Sequence, residues 1–194
     1  MEQVLELLDS IVSLEPGLRD YLTASLRPTR PRKKETLVRE GDIARNIGFI
    51  EKGLIRGYMI REDGSEFTKY FMQEGDIFIS VDSFFSQTAA TEILQSLESC
   101  IIYSITYQQL QYALAKWPSF KDHKIHFLQK YYRQSLRREE IRARPDYDRI
   151  AYLMEHYSTL ADRVADKYLA SFLDMTPAYY SAVKNEYLRD NPRR

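Results

Sequence analysis

Cysteine is nearly absent from this chain. Cys100 is the single one in 194 residues, so no intramolecular disulfide can form and a reducing, cytoplasmic location is expected. Long apolar runs are missing too; the longest are short pieces such as Ile101-Ile102-Tyr103, and no bilayer span is expected. The opening residues, Met1-Glu2-Gln3-Val4, lack a basic start followed by an apolar stretch, so no secretory signal is read. Net charge is zero, from 28 basic and 28 acidic side chains, which withholds the electrostatic signature common among nucleic-acid binders. No P-loop, nucleophile elbow or dinucleotide fingerprint occurs, and an enzyme is not expected. Histidines number three, His123, His126 and His156. His123 and His126 stand three apart on a helix, as a metal pair would, yet no third ligand is evident nearby. Solvated helix histidines are the other reading. Cys100 lies in an apolar strand, where a thiol behaves as a small core residue.

What is present falls into three textures. Up to about Leu26 the chain is helical: Val4, Leu7, Leu8, Ile11 and Leu14 share one helical face, Pro16-Gly17 interrupts, and Leu18, Tyr21, Leu22 and Leu26 mark a second short helix. From Arg27 to Thr106 it reads as β. Gly41, Gly53, Gly64 and Gly75 recur at intervals of 12, 11 and 11 residues, each in a polar turn such as Glu62-Asp63-Gly64. Short strands at that spacing indicate a sandwich or barrel, and glycine supplies the positive φ of tight turns. Glu92–Leu97 and Cys100–Ile105 add two strands around Glu98-Ser99. Beyond Tyr107 the chain is helical again and glycine disappears. Tyr107–Trp117 stops at Pro118, a long helix from Ser119 to about Arg144 stops at Pro145, and Asp146–Tyr157 follows, with two short helices after Ala161.

Those last two helices carry the most information. Asp166–Leu173 is short and amphipathic, Asp174-Met175 is a turn, and Thr176-Pro177 opens the next helix with a capping threonine and a first-position proline. Two short helices across a tight turn form a helix-turn-helix, whose second helix enters the DNA major groove. Thr176, Tyr179, Tyr180, Ser181, Lys184 and Asn185 are the candidate DNA contacts, and Arg193 and Arg194 candidate phosphate contacts. The competing reading is two packing helices of an all-α subdomain.

Thr36–Asp42, Ile47–Gly53, Asp63-Gly64 and Phe71–Phe78 resemble a cyclic-nucleotide-binding domain, and Ala161–Pro177 resembles the helix-turn-helix of the Crp/Fnr transcription regulators. Together they cover nearly the whole chain. The resemblance implies an α+β fold: a jelly-roll-like β-roll sensor with flanking helices over residues 1–117, a long dimer helix over 118–144, and a helical helix-turn-helix domain over 145–194. It implies double-stranded DNA, a second copy of the chain and RNA polymerase as partners; for this chain no bound cofactor is expected. On the long helix, Phe120, Phe127, Gln134 and Ile141 recur by seven, with Lys124, Tyr131 and Arg138 as companions and Leu128 and Tyr132 adding apolar area. Phe120, Phe127, Leu128 and Tyr131 are the candidate dimer residues; packing on the chain's own roll is the alternative.

The pattern breaks at the sensor. In nucleotide-binding members a glutamate holds the ribose and an arginine the cyclic phosphate. Counted without gaps from Gly75-Asp76, these positions hold Ser80 and Ala90, and no arginine or lysine occurs from Ile77 to Thr91. A phosphate buried there would lose charge-assisted hydrogen bonds of roughly 1.5–3 kcal/mol each. Cyclic AMP and cyclic GMP are therefore not expected to bind in the family manner. Ile79, Ser80, Val81, Ala89, Ala90 and Thr91 form the diverged cassette, open either to an apolar or neutral ligand or to none, and the effector is unknown. A single cysteine and the lack of a histidine in the β region exclude iron–sulfur and haem sensing of the family's kind. From Glu140 onward nine basic residues balance nine acidic ones, so counterion release contributes little to DNA affinity. The resulting expectation is a DNA-binding regulator with a diverged pocket. Its rival is a small-molecule or protein-binding module whose helix-turn-helix no longer functions.

Overall fold

The computed structural model describes residues 1–192, so Arg193 and Arg194 lie outside the described residues. The amino-terminal segment forms α1 (Glu2–Ile11) and α2 (Pro16–Ser25), with Pro16 at the start of the second helix. Eight strands follow: β1 (Arg27–Thr29), β2 (Thr36–Val38), β3 (Asn46–Lys52), β4 (Ile55–Ile60), β5 (Glu66–Met72), β6 (Ile77–Phe78), β7 (Ile93–Ser96) and β8 (Ile101–Thr106). A short helix α3 (Val81–Ser86) separates β6 from β7. The remainder is helical: α4 (Tyr107–Lys116), α5 (Phe120–Arg142), α6 (Asp146–His156), α7 (Ser158–Arg163), α8 (Asp166–Phe172) and α9 (Pro177–Asp190).

The strands build two four-stranded sheets, ordered β1-β8-β3-β6 and β2-β7-β4-β5. The turn glycines behave as their spacing predicts: Gly41, Gly53, Gly64 and Gly75 all have positive φ. Gly53 has a second reason to be glycine, since a Cβ there would lie 2.5 Å from Cys100 Sγ. β7 and β8 are strands as expected, but they do not pair with each other. β7 pairs antiparallel with β2 and β4, and β8 with β1 and β3, so the Glu98-Ser99 turn carries the chain from one sheet to the other. This is the sandwich solution: each sheet hides one face against its partner.

By contacts the chain divides into two compact units. One comprises Met1–Met59 and Phe71–Tyr131; the other comprises Ile60–Tyr70 with the chain from Tyr132 onward. In the first unit Ile50, Leu54, Ile55, Phe84, Leu94 and Ile102 are fully buried in the roll, and Leu8, Leu18 and Leu22 of the leading helices and Ala113 and Leu114 of α4 are buried as well. His123 belongs to this core rather than to solvent. Its Nε2 lies 3.0 Å from the Leu8 carbonyl and 3.1 Å from that of Val12, so the ring closes the carboxyl end of α1. No cluster of three metal-ligating side chains occurs among the described residues. The second unit is centred on Ile141, Ile150, Leu153, Leu169, Leu173 and Tyr180, all fully buried. The turn of helix at Ser158–Arg163 was not legible in the sequence, being only six residues long and lacking a side-chain cap. No helix among the described residues is long and apolar enough to cross a membrane.

Candidate functional site

The helix-turn-helix is built by two capping devices in succession. α8 ends in a Schellman motif: Met175 N–H donates to the Ala170 carbonyl at 2.9 Å, and Asp174 N–H to that of Ser171 at 3.4 Å. Asp174 takes the left-handed position with φ of 60°, where a short polar residue is tolerated in place of glycine. Thr176 then caps α9, its Oγ1 accepting from Tyr179 N–H at 3.2 Å, and Pro177 occupies the first helical position. The tight turn is thus held at both ends, and the start of α9 is fixed against α8.

The sequence-derived contact residues divide by face. Tyr179, Ser181 and Asn185 are exposed, as is Thr176, whose hydroxyl is engaged in the cap. Tyr180 is 0% exposed and belongs to the core between the helices, so it cannot meet a ligand on the outer face. Its hydroxyl is buried without a hydrogen-bond partner among the described residues, and burial, with Asp166 adding to it, pushes its pKa well above the ordinary tyrosine value. Lys184 is half-buried, its Nζ 2.7 Å from Asp166 Oδ1. Tyr179 donates its hydroxyl to Asp146 Oδ2 at 2.9 Å, a bond that raises its pKa. Ser181 donates to the Pro177 carbonyl at 2.9 Å. Three residues that sequence reasoning passed over share the outer face of α9: Ala178, Ala182 and Arg189, all exposed. Their positions, with Ser181 and Asn185, follow the i, i+3, i+4, i+7, i+11 spacing of one helical stripe.

The roll carries the second site. Ser80 precedes α3 and is buried, and its hydroxyl donates to Glu92 Oε1 at 2.9 Å. Glu92 is only 6% exposed. Ser83 Oγ accepts from Ala44 N–H at 2.9 Å and donates to the Thr88 carbonyl at 2.6 Å, tying α3 to the loop before β7. Ala90 is buried, its backbone paired with Asp42 and Gly41, whereas Ala89 and Thr91 are exposed. Ile79 is buried and Val81 half-buried. Glu92 was missed in the sequence. The signal available was a carboxylate directly before Ile93-Leu94 of β7, two residues beyond the position where the resemblance expects arginine. A buried carboxylate opposes a second anion placed near it.

Along α5 the candidate dimer residues also separate. Phe120 is buried within its own chain, Phe127 packs edge-on against Phe49 with ring centroids 5.6 Å apart, and Tyr131 is half-buried. Leu128 alone of the four is exposed. With Ile125, Tyr132 and Leu136 it makes an apolar stripe, exposed by 39%, 49%, 63% and 46% respectively.

Residues 29–116 match the family model for the cyclic nucleotide-binding domain. The chain has the Crp/Fnr fold. Among solved structures it is similar to FixK2 from Bradyrhizobium japonicum, with a TM-score of 0.74, 15% identity and 85% of each chain covered. It is similar to the c-di-GMP-responsive global regulator CLP of Xanthomonas campestris, with a TM-score of 0.69 and 18% identity over 91% of this chain and 93% of that one. It is likewise similar to a Crp/Fnr-family protein from Eubacterium rectale, with a TM-score of 0.70 and 13% identity over 91% of this chain and 84% of that one. No curated protein matches the chain. At these identities the likeness is one of fold.

Proposed function

We propose that this protein is a homodimeric DNA-binding transcription regulator whose sensor roll does not take cyclic AMP or cyclic GMP in the family manner. The observation that carries the DNA reading is the doubly capped α8–turn–α9 unit, with Ala178, Ser181, Ala182, Asn185 and Arg189 exposed along one side of its second helix. Small residues at the front of that stripe allow close approach of the backbone to a groove, and Asn185 can pair bidentately with adenine. Arg189 supplies a phosphate contact, and Lys184, held by Asp166, becomes a further one when that pair opens. The ligand reading is supported by Ala90 in the arginine position and by the buried Glu92–Ser80 pair beside it. The dimer reading is supported by the Ile125, Leu128, Tyr132 and Leu136 stripe, which is exposed, whereas Phe120 and Phe127 of the heptad pack within their own chain.

The rival reading, a binding module with a retired helix-turn-helix, draws on one specific observation. Two polar groups that would face DNA, Lys184 and Tyr179, are already held by the protein's own carboxylates.

The deciding experiment is selection from randomised duplex DNA at about 50 and about 200 mM salt. The expected outcome is a two-fold symmetric motif with half-sites about one helical turn apart. Enrichment of nothing at low salt overturns the DNA reading. A parallel sedimentation measurement on Leu128→Asp is expected to give monomer where the native chain gives dimer.

A further inference from the structure

α9 buries Tyr180 and Val183 and presents small side chains on its opposite side. At about 100° per residue, Ala178, Ala182, Asn185 and Arg189 lie within about 60° of arc, and Ser181 about 40° beyond Asn185. All five are exposed. With a rise of about 1.5 Å per residue, Ala178, Ser181 and Ala182 occupy the first two turns. Asn185 lies about 10 Å and Arg189 about 16 Å beyond Ala178 along the axis. Arg189 is next to the last residue of the helix, Asp190.

The chemistry of this row is selective. In the major groove guanine shows two acceptors, N7 and O6, and calls for a guanidinium or an ammonium. The leading half of α9 offers neither. Ser181 commits its hydroxyl proton to the Pro177 carbonyl at 2.9 Å, and Tyr179 commits its own to Asp146 Oδ2 at 2.9 Å, so both oxygens can only accept. The Lys184 ammonium rests on Asp166 Oδ1 at 2.7 Å, about 120° round the helix from Ala178. Glu186, about 80° round on the other side, is an acceptor only. Asn185 offers a donor and an acceptor side by side, the complement of adenine N7 and N6. The two alanines offer methyl groups, which match the C5 methyl of thymine.

We infer that the half-site read by α9 is built on A·T pairs. Asn185 takes an adenine through N6 and N7, the methyls of Ala178 and Ala182 pack on thymine methyls, and no guanine is read by a side chain of this helix. The inference rests on the DNA reading proposed above and names the class of operator that such a helix selects.

The test begins with the full-length protein and randomised duplex DNA at about 50 mM salt. The enriched half-sites are expected to hold A·T pairs at their fixed positions. Base analogues in the selected duplex then separate contact from shape, read by fluorescence anisotropy. Deoxyuridine in place of a contacted thymidine removes only the C5 methyl and should weaken binding about fourfold at each such position, the worth of one buried methyl group. In Ala182→Gly one of those positions should become indifferent to the change. Glycine also loosens the helix, so the quantity read is the lost sensitivity to uracil and not the affinity itself. 7-Deazaadenine opposite Asn185 should weaken the native protein about fivefold and leave Asn185→Ala unaffected. A guanine fixed in the half-site overturns the inference and leaves the DNA reading standing. An A·T motif indifferent to both analogues does the same, since it is read through groove shape. Enrichment of nothing defeats the DNA reading and this inference with it.

Discussion

Releasing Lys184 from Asp166 should change how strongly DNA binding depends on salt. Lys184 Nζ is 2.7 Å from Asp166 Oδ1 on the side of α9 adjoining its exposed stripe, so Asp166→Asn frees one ammonium for a phosphate. Each phosphate neutralised adds about 0.9 to the slope of log affinity against log salt for duplex DNA. Between about 50 and about 200 mM, a fourfold change, one new contact deepens the loss of affinity by about 3.5-fold. The substitution removes an acid from the first turn of α8 as well, at a cost of about 0.3–1 kcal/mol to stability, too little to unfold the domain. Fluorescence anisotropy on a fixed duplex, titrated at four or more salt concentrations, measures the slope. Lys184→Ala is the control background. If Lys184 is the group released, Asp166→Asn steepens the slope by about one in the native background and leaves it unchanged in Lys184→Ala. An unchanged slope in the native background refutes the phosphate role of Lys184. An equal change in both backgrounds means that removal of the acid, not release of the lysine, is responsible.

Two further outcomes follow from the packing. Gly53→Ala places a Cβ 2.5 Å from Cys100 Sγ and 2.9 Å from Cys100 Cα at a φ of +107°, which combines backbone strain with overpacking and should cost about 2–5 kcal/mol in urea unfolding; a loss under about 1 kcal/mol would show that the strands can part freely. Tyr180→Phe removes a buried hydroxyl that has no hydrogen-bond partner among the described residues and should leave neutral-pH stability equal or higher. The folded-state pKa of Tyr180 is raised, so the native protein holds its proton while the unfolded chain releases it above about pH 10. Stability is therefore complete below that pH and falls as pH rises beyond it, by up to about 1.4 kcal/mol per unit. The phenylalanine variant should lose that component of the alkaline slope, and an identical alkaline profile would contradict the assignment.

Much of the architecture was legible because its signals are local. Glycine at four near-regular positions announces turns, since only glycine takes the required φ without strain, and the turns appear where expected. Thr176-Pro177 announces a helix start for a similar reason: a hydroxyl to accept the first N–H groups and a ring that needs no donor. The candidate site was read less completely. Periodicity placed Tyr179, Tyr180 and Lys184 on one helix but did not say which of them would meet the core, and the structure buries Tyr180. The heptad through Phe120 and Phe127 is apolar only in part, with Gln134 in its row; both phenylalanines pack within their own chain, and the exposed stripe runs beside it through Ile125 and Leu128. His123 looked like a surface histidine and instead accepts its place in the core by pairing with the end of α1, more than a hundred residues away in sequence.

The sequence by itself determined the division into leading helices, β-roll and carboxy-terminal helices, the turn positions, the helix-turn-helix caps and the absence of a cation from Ile77 to Thr91. Each of these is a property of neighbouring residues, decided by φ preference, capping chemistry or simple absence. Tertiary structure alone decided that β7 and β8 part into different sheets, that Glu92 turns inward to Ser80, and that Arg142 and Ser171 take hold of β5. Those outcomes depend on which buried polar group finds a partner. Such partners are set by contacts between segments far apart in the chain, for which local pattern carries no record.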